Sequence, residues 1–267
     1  MNNRRSVLVS AGASGIGRRI AEAFDTIGDS VHVFDVSPDR LDELRQARPG
    51  IHCHRADASR DTELAAVFEA LVRLEGKLDV LVNNVGISGP AAAVDRIDPA
   101  DWDRTIAVDL NANFYCTRRA VPLLKGAGGG SIINIASTAG LYGCPLRSPY
   151  VAAKWALVGL TKTWAMELGP SGIRVNALCP GSVNGPRIDG VIERDAQERG
   201  MTPAAIRDVY LQQTSLGVFV EGEDVARMAV FLASDGGRYV SGQAIAIDGN
   251  TESLANWLDK APVEDAR

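Results

Sequence analysis

The sequence predicts a single α/β domain, a doubly wound parallel sheet with helices on both faces. Short runs of aliphatic and β-branched residues alternate along the chain with longer segments of helical apolar spacing, the order that builds crossovers between parallel strands. At 267 residues and 46% hydrophobic, the chain can bury one large core. No internal repeat, low-complexity tract or linker divides it.

Residues 6–10 (Ser-Val-Leu-Val-Ser) read as a buried strand, after which Ile20, Ala23, Phe24 and Ile27 recur at helical spacing. Residues 31–35 form a second strand. Ser37 then caps a helix with Pro38 at its first position. Residues 51–57 are a third strand, and Ser59 caps a helix reaching about Glu75. A fourth strand, 79–82, ends at Asn83-Asn84. Asp98-Pro99 opens one long helix through Trp102, Ile106, Leu110 and Phe114. The glycine-rich turn 126–130 precedes a fifth strand at 131–136. The next helix runs through Leu157, Leu160, Thr161 and Trp164 to a stop near Gly169-Pro170. Residues 173–178 are a sixth strand, 187–214 a polar stretch with helical segments, 223–233 a helix and 243–247 the last strand. Past Gly249 the pattern fades, and Trp257 and Leu258 are expected to dock on a neighbouring surface.

Tyr150 and Lys154, at i and i+4, share one helix face, so a phenol and an ammonium lie side by side. The cation favours the phenolate, the form that takes a proton. Ser137 arrives from the end of a preceding strand, where its hydroxyl can hold a substrate oxygen against that phenol. This is chemistry for moving a proton to or from a carbinol while a hydride leaves elsewhere. Between the first strand and helix stands Ala11-Gly12-Ala13-Ser14-Gly15-Ile16-Gly17, the context a dinucleotide fingerprint requires. Glycines let backbone approach a pyrophosphate, and the helix N-terminus offers free N–H donors.

In the turn Gly15-Ile16-Gly17, the block Asn83-Asn84-Val85-Gly86, Ser137, Tyr150/Lys154 and Pro180-Gly181, the sequence resembles the classical short-chain dehydrogenase/reductase family, from about Ser6 to Gly249. The resemblance implies a Rossmann-type fold with Tyr150 as general acid/base, Lys154 on the nicotinamide ribose and Ser137 positioning the substrate oxygen. The family usually has glycine where Ala11 stands, so Gly12 is expected to absorb the unusual dihedrals of that turn. Its fourth catalytic position, normally asparagine, falls on Asp109, which has the same shape but no amide donor. Gly185 stands where a threonine often meets the cofactor carboxamide.

Asp35 ends the second strand, where a carboxylate accepts from both adenosine ribose hydroxyls of NAD and repels a 2′-phosphate. Ser14 and Val36 supply no opposing cation, so NAD is the expected cofactor. In such a fold Asp57 meets the adenine edge, and Asn83 and Gly86 line the cofactor. Pro180, Gly181 and Val183 shape its nicotinamide side.

A net charge of −5 and no basic run argue against nucleic acid as a partner. No apolar run approaches a membrane span and the start lacks a signal-peptide core, so a cytoplasmic location is expected. Cys53, Cys116, Cys144 and Cys179 lack metal or redox spacing. The first, second and fourth read as core thiols, and Cys144 as an accessible loop thiol. His52 and His54 share a strand face with no third ligand in view, so no metal site is expected. An exposed sheet position or subunit surface is the simpler reading.

The substrate is expected to be a small molecule held by residues 86–97, 139–149 and 182–214, with 184–214 long enough to act as a lid. Arg147 and Arg187 read either as solvated loop arginines or as a clamp for an anionic group. The whole points to an NAD(H)-dependent oxidoreductase interconverting a secondary alcohol, for example of a sugar or polyol, and its ketone or lactone. A 3-oxoacyl thioester reductase is the second reading, and a non-catalytic dinucleotide-binding regulator the third. The resemblance also implies a homotetramer, with Phe114, Tyr115, Leu157, Leu160 and Trp164 either supplying its apolar contacts or facing the protein's own core.

Overall fold

A computed structural model describes residues 4–254. The strands β1 (Ser6–Ser10), β2 (Ser30–Asp35), β3 (His52–Arg55), β4 (Val80–Asn83), β5 (Gly130–Ile135), β6 (Ile173–Pro180) and β7 (Ala244–Ile247) form one parallel sheet. Its order is β3-β2-β1-β4-β5-β6-β7. The chain reverses its direction of winding between β1 and β4, and ligands in such sheets bind at the carboxyl ends beside that switch point.

Side-chain alternation splits the interior. Leu8, Phe34, Leu81 and Ile132 pack on one face with α3 (Asp61–Glu75), α5 (Ala112–Gly126) and α6 (Ser148–Leu168). Val7, Val9, Val31 and Val33 pack on the other with α1 (Gly15–Thr26), α2 (Pro38–Ala47) and α9 (Gly222–Ala233). Ser37 caps α2 as expected, accepting from Arg40 N, while the α3 cap falls on Arg60 rather than Ser59. Ser59 is engaged instead in a tight turn, donating backbone and side-chain bonds to Asp57 Oδ1.

The long helix expected after Asp98 is interrupted. α4 (Pro99–Ile106) and α5 are joined by a π-helical turn over Ala107–Asn111. Such a turn inserts one extra residue per cycle and re-aims the side chains around it. Here Asp109 and Asn113 are both fully buried, and Asn113 Nδ2 donates to the Asp109 carbonyl at 2.6 Å.

The segment 184–214 forms α7 (Pro186–Arg199) and α8 (Pro203–Gln212) with a small core of its own, Ile192, Ala196 and Ile206. Among the described residues, no helix is long and apolar enough to cross a membrane. Leu157 and Trp164, expected either at subunit contacts or inside, face the protein's own core. On the same helix Trp155 and Met166 are exposed instead, as is Phe114 on α5. Trp257 and Leu258 lie outside the described residues.

Candidate active site

The glycine turn after β1 is built by close approach. A Cβ on Gly17 would fall 2.5 Å from the Ala11 carbonyl oxygen, and one on Gly12 would fall 2.8 Å from a Val33 methyl. Gly12 does not take the left-handed conformation expected of it; Ala11 does, at φ +46°. Gly12 is a glycine for space, since Val33 leaves no room for a side chain there, and Ala11 carries the strained dihedral. Gly15 is also left-handed, at φ +53°, and α1 begins there with Ser14 as N-cap. The Ser14 side chain makes no cap bond, so the first amides, at Ile16 and Gly17 among them, form an anion-ready N-terminus.

Asp35, at the carboxyl end of β2, is nearly buried and aimed by two backbone amides, Ala13 N at 3.3 Å and Ser37 N at 3.1 Å. Asp57 follows β3, where Oδ1 holds the Ser59 turn. Asn83 departs from its expected place. It is fully buried, and its amide is spent on Thr117 and Asn134 at 2.9 Å each, pinning β4 to α5 and β5. Its neighbour Asn84 supports the cofactor turn, donating through Nδ2 to the Ser10 and Ala11 carbonyls at 3.0 Å. The doubled asparagine was the available signal, but strand parity alone did not say which of the two faced inward.

Lys154 is buried, donates to the Ile135 carbonyl at 3.2 Å, and lies 5.5 Å from the centre of the Tyr150 ring. Its ammonium stands 3.8 Å from Asp109 Oδ2. Asp109 Oδ1 accepts from Ile87 N at 2.7 Å, and Oδ2 meets no hydrogen-bond donor among the described residues. Burial lifts the Asp109 carboxyl above its usual range, against the pull of Lys154, the Ile87 amide, Arg187 and Arg147. The ion-pair distance alone would suggest the opposite shift. At 3.8 Å the contact is loose and the group wholly enclosed, so desolvation prevails. Gly86 permits this arrangement, since a Cβ there would lie 3.2 Å from Lys154 Nζ.

Ser137 follows β5 and accepts from Ala139 N at 3.2 Å. Pro180 ends β6, and Gly181 N donates to Ile247 O at 3.0 Å; a Cβ on Gly181 would meet Asp248 at 2.8 Å. Val183 bridges to Val220. The predicted residues therefore converge on the carboxyl edge of the sheet, except for the side chain of Asn83.

A family model described as enoyl-(acyl carrier protein) reductase matches residues 10–250. The chain belongs to the short-chain dehydrogenase/reductase family. It is 37% identical over 246 residues to the 3-oxoacyl-[acyl-carrier-protein] reductase FabG of Thermotoga maritima, covering 91% of this chain and 95% of that one. It is 37% identical over 254 residues to a D-beta-hydroxybutyrate dehydrogenase of Cupriavidus necator, covering 93% and 98%. The crystal structure of a variant actinorhodin polyketide ketoreductase with NADPH superposes with a TM-score of 0.88 at 31% identity, covering 93% of this short-chain dehydrogenase/reductase and 97% of that chain.

Away from this site, His52 and His54 gain partners that the sequence did not show. His32 of β2 is fully buried and stacks on both rings, its Nδ1 3.2 Å from His54 Nε2 and its Nε2 3.2 Å from Glu75 Oε1. Ligand atoms of His32, His52 and Glu75 lie within 4.8 Å of one another. The His32 and His52 rings are stacked at 25°, so their in-plane lone pairs run side by side rather than converging, and both His32 nitrogens already have partners. A hydrogen-bonded stack accounts for the cluster without an ion. Cys144 is half-buried in its loop, and partial burial pushes its thiol up.

Proposed function

We propose that the protein is an NAD(H)-dependent oxidoreductase interconverting a secondary alcohol and its ketone, with Tyr150 as general acid/base. The observation carrying this reading is the Tyr150–Lys154 pair, with the ammonium anchored on Ile135 O, on the same sheet edge as the α1 N-terminus and Asp35. The residues present fit a dinucleotide. Gly12 and Gly17 let the turn pack tightly on Val33, Ala11 and Asn84, and Gly15 borders open space at the α1 N-terminus. The α1 amides suit a pyrophosphate, and the aimed Asp35 carboxylate suits the ribose hydroxyls.

When bound, the nicotinamide accepts or returns the hydride. The chain's own residues manage the proton. In oxidation the Tyr150 phenolate takes the hydroxyl proton while Ser137 holds the same oxygen, and Lys154 stabilises the negative phenol. Asp109, buried beside Lys154, replaces the amide that usually extends this relay. Of the cofactor residues, Gly12, Ser14, Gly15, Ile16 and Gly17 serve the pyrophosphate, Asp35 and Asp57 the adenosine, and Gly86, Pro180, Gly181 and Val183 the nicotinamide side. Asp35 with Val36 and Ser14 supports NAD over NADP, although the superposed ketoreductase carries NADPH. The hydroxybutyrate dehydrogenase relative supports an alcohol substrate.

The FabG relative favours a second reading, reduction of a 3-oxoacyl thioester. Initial rates with NAD and NADP across sugars, polyols, hydroxy acids and alicyclic alcohols, and in reverse with ketones and a 3-oxoacyl thioester, test both readings. Turnover with NAD that Tyr150→Phe abolishes supports the first. Thioester reduction alone, with NADPH, overturns it for the second.

A further inference from the structure

Arg147 is placed with unusual care for a loop arginine. It precedes α6 directly, and its guanidinium lies 5.5 Å from the centre of the Tyr150 ring. Nη2 donates to the Ser88 carbonyl at 2.7 Å, while Nε is buried and meets no acceptor among the described residues. No carboxylate among the described residues forms an ion pair with Arg147, Arg187 or Arg194. Arg147 is half-buried, and although its charge acts on Asp109, no ion pair ties it there. Arginine does not deprotonate in proteins, so that charge stays available to an anion.

The surroundings hold it in place. Leu146, just before it, takes a left-handed conformation at φ +65°, a costly state for a branched side chain, and its carbonyl accepts from Ala92 N at 3.0 Å. Leu146 also lines a cavity of about 340 Å³ with Ala91, Arg194, Asp195 and Gln197, at the small end of ligand pockets. Asp195 is paired through Oδ1 with Arg199 at 2.6 Å, which offsets its charge toward this cavity. Arg194 Nη2 reaches Ser88 Oγ at 3.5 Å, so a second cation approaches the same loop from α7.

We propose that Arg147 anchors a carboxylate on the substrate itself, making the preferred substrate a small hydroxy acid or its keto acid. Guanidinium and carboxylate match as a fork, and Nη1, which makes no hydrogen bond among the described residues, is the donor left for such a pair. The anchor sits against the reacting tyrosine, so acid and carbinol belong to one short molecule. A carrier bound at the protein surface would meet Arg187, which is exposed on Gly86 O at 3.3 Å, rather than Arg147.

The inference rests on the oxidoreductase reading above, and its test separates the two. The kcat/KM values for 3-hydroxybutyrate and 4-hydroxycyclohexanecarboxylate are measured against those for their methyl esters, in the wild type, Arg147→Gln and Arg147→Lys. NADH affinity and Tm serve as checks on folding. The wild type is expected to favour each acid over its ester by about 100-fold or more, with Arg147→Gln collapsing that ratio and Arg147→Lys keeping part of it. Equal use of acids and esters by the wild type overturns the anchor and leaves the oxidoreductase standing. So does an equal loss on both in Arg147→Gln. Silence on every alcohol and ketone, with NADH still bound, removes the oxidoreductase reading and the anchor with it.

Discussion

Ala11 holds φ +46°, and Val33 closes the space beside the next residue, Gly12. A left-handed alanine costs roughly 1–2 kcal/mol, part of which glycine returns as unfolded-state entropy. Ala11→Gly is therefore expected to raise stability by about 0.5–1 kcal/mol in urea unfolding, while Gly12→Ala lowers it by forcing a methyl against Val33. Asp109 gives a pH-dependent prediction. Burial raises its carboxyl pKa in the folded chain, so the folded state holds that proton more tightly than the unfolded state. The contribution favours folding at low pH and is lost as pH rises through the raised value. Asp109→Asn should thus be more stable than wild type at pH 7, by about 2–4 °C in Tm for each kcal/mol recovered, with the advantage shrinking in acid. Scanning calorimetry at several pH values checks it. Tyr150, Lys154 and Ser137 were legible because helix periodicity and strand ends are local properties. The enclosure of Asp109 depends on a π turn that no side-chain pattern marks, and the burial of Asn83 on partners 34 and 51 residues away.

At the scale of elements, the β2–β3 edge carries a stack of three histidines closed by Glu75. Sequence parity put His52 and His54 on one face, but only the parallel register brings His32 opposite His52. Burial first, then the neighbouring His32, His52 and Arg45, push His54 down to about 4 from 6.5. His32 is lowered as well, again by burial. Between those values the unfolded chain binds the proton that the folded chain refuses, so stability falls as pH drops from about 6.5 toward 4. His54→Gln keeps an amide donor for His32 Nδ1 and removes one titration. Its Tm should decline less steeply than that of the wild type across this window, and an identical slope would show the stack to be electrostatically silent.

The whole molecule is organised around one switch point. The doubly wound parallel sheet was readable because short apolar runs alternate with helical segments, whereas the order of its strands comes from the structure. What covers the helices was less readable, since an apolar residue on α6 serves either its own core or another surface. Leu157 and Trp164 turned inward, leaving Trp155, Met166 and Phe114 exposed. A homotetramer of the kind the family resemblance implies would bury these three between copies. Sedimentation at micromolar concentration should give four chains, with charged substitutions at Trp155 and Met166 dissociating them; a monomer would remove that expectation.

The most direct measurement of the central claim is the rate of NAD reduction with a panel of secondary alcohols, in the wild type and in Tyr150→Phe. The two proteins are compared at matched NADH affinity. General acid/base catalysis contributes roughly 10²–10⁴-fold, so the variant should bind cofactor normally and lose at least 100-fold in kcat. Undiminished turnover in Tyr150→Phe would contradict the assignment of the proton to that phenol.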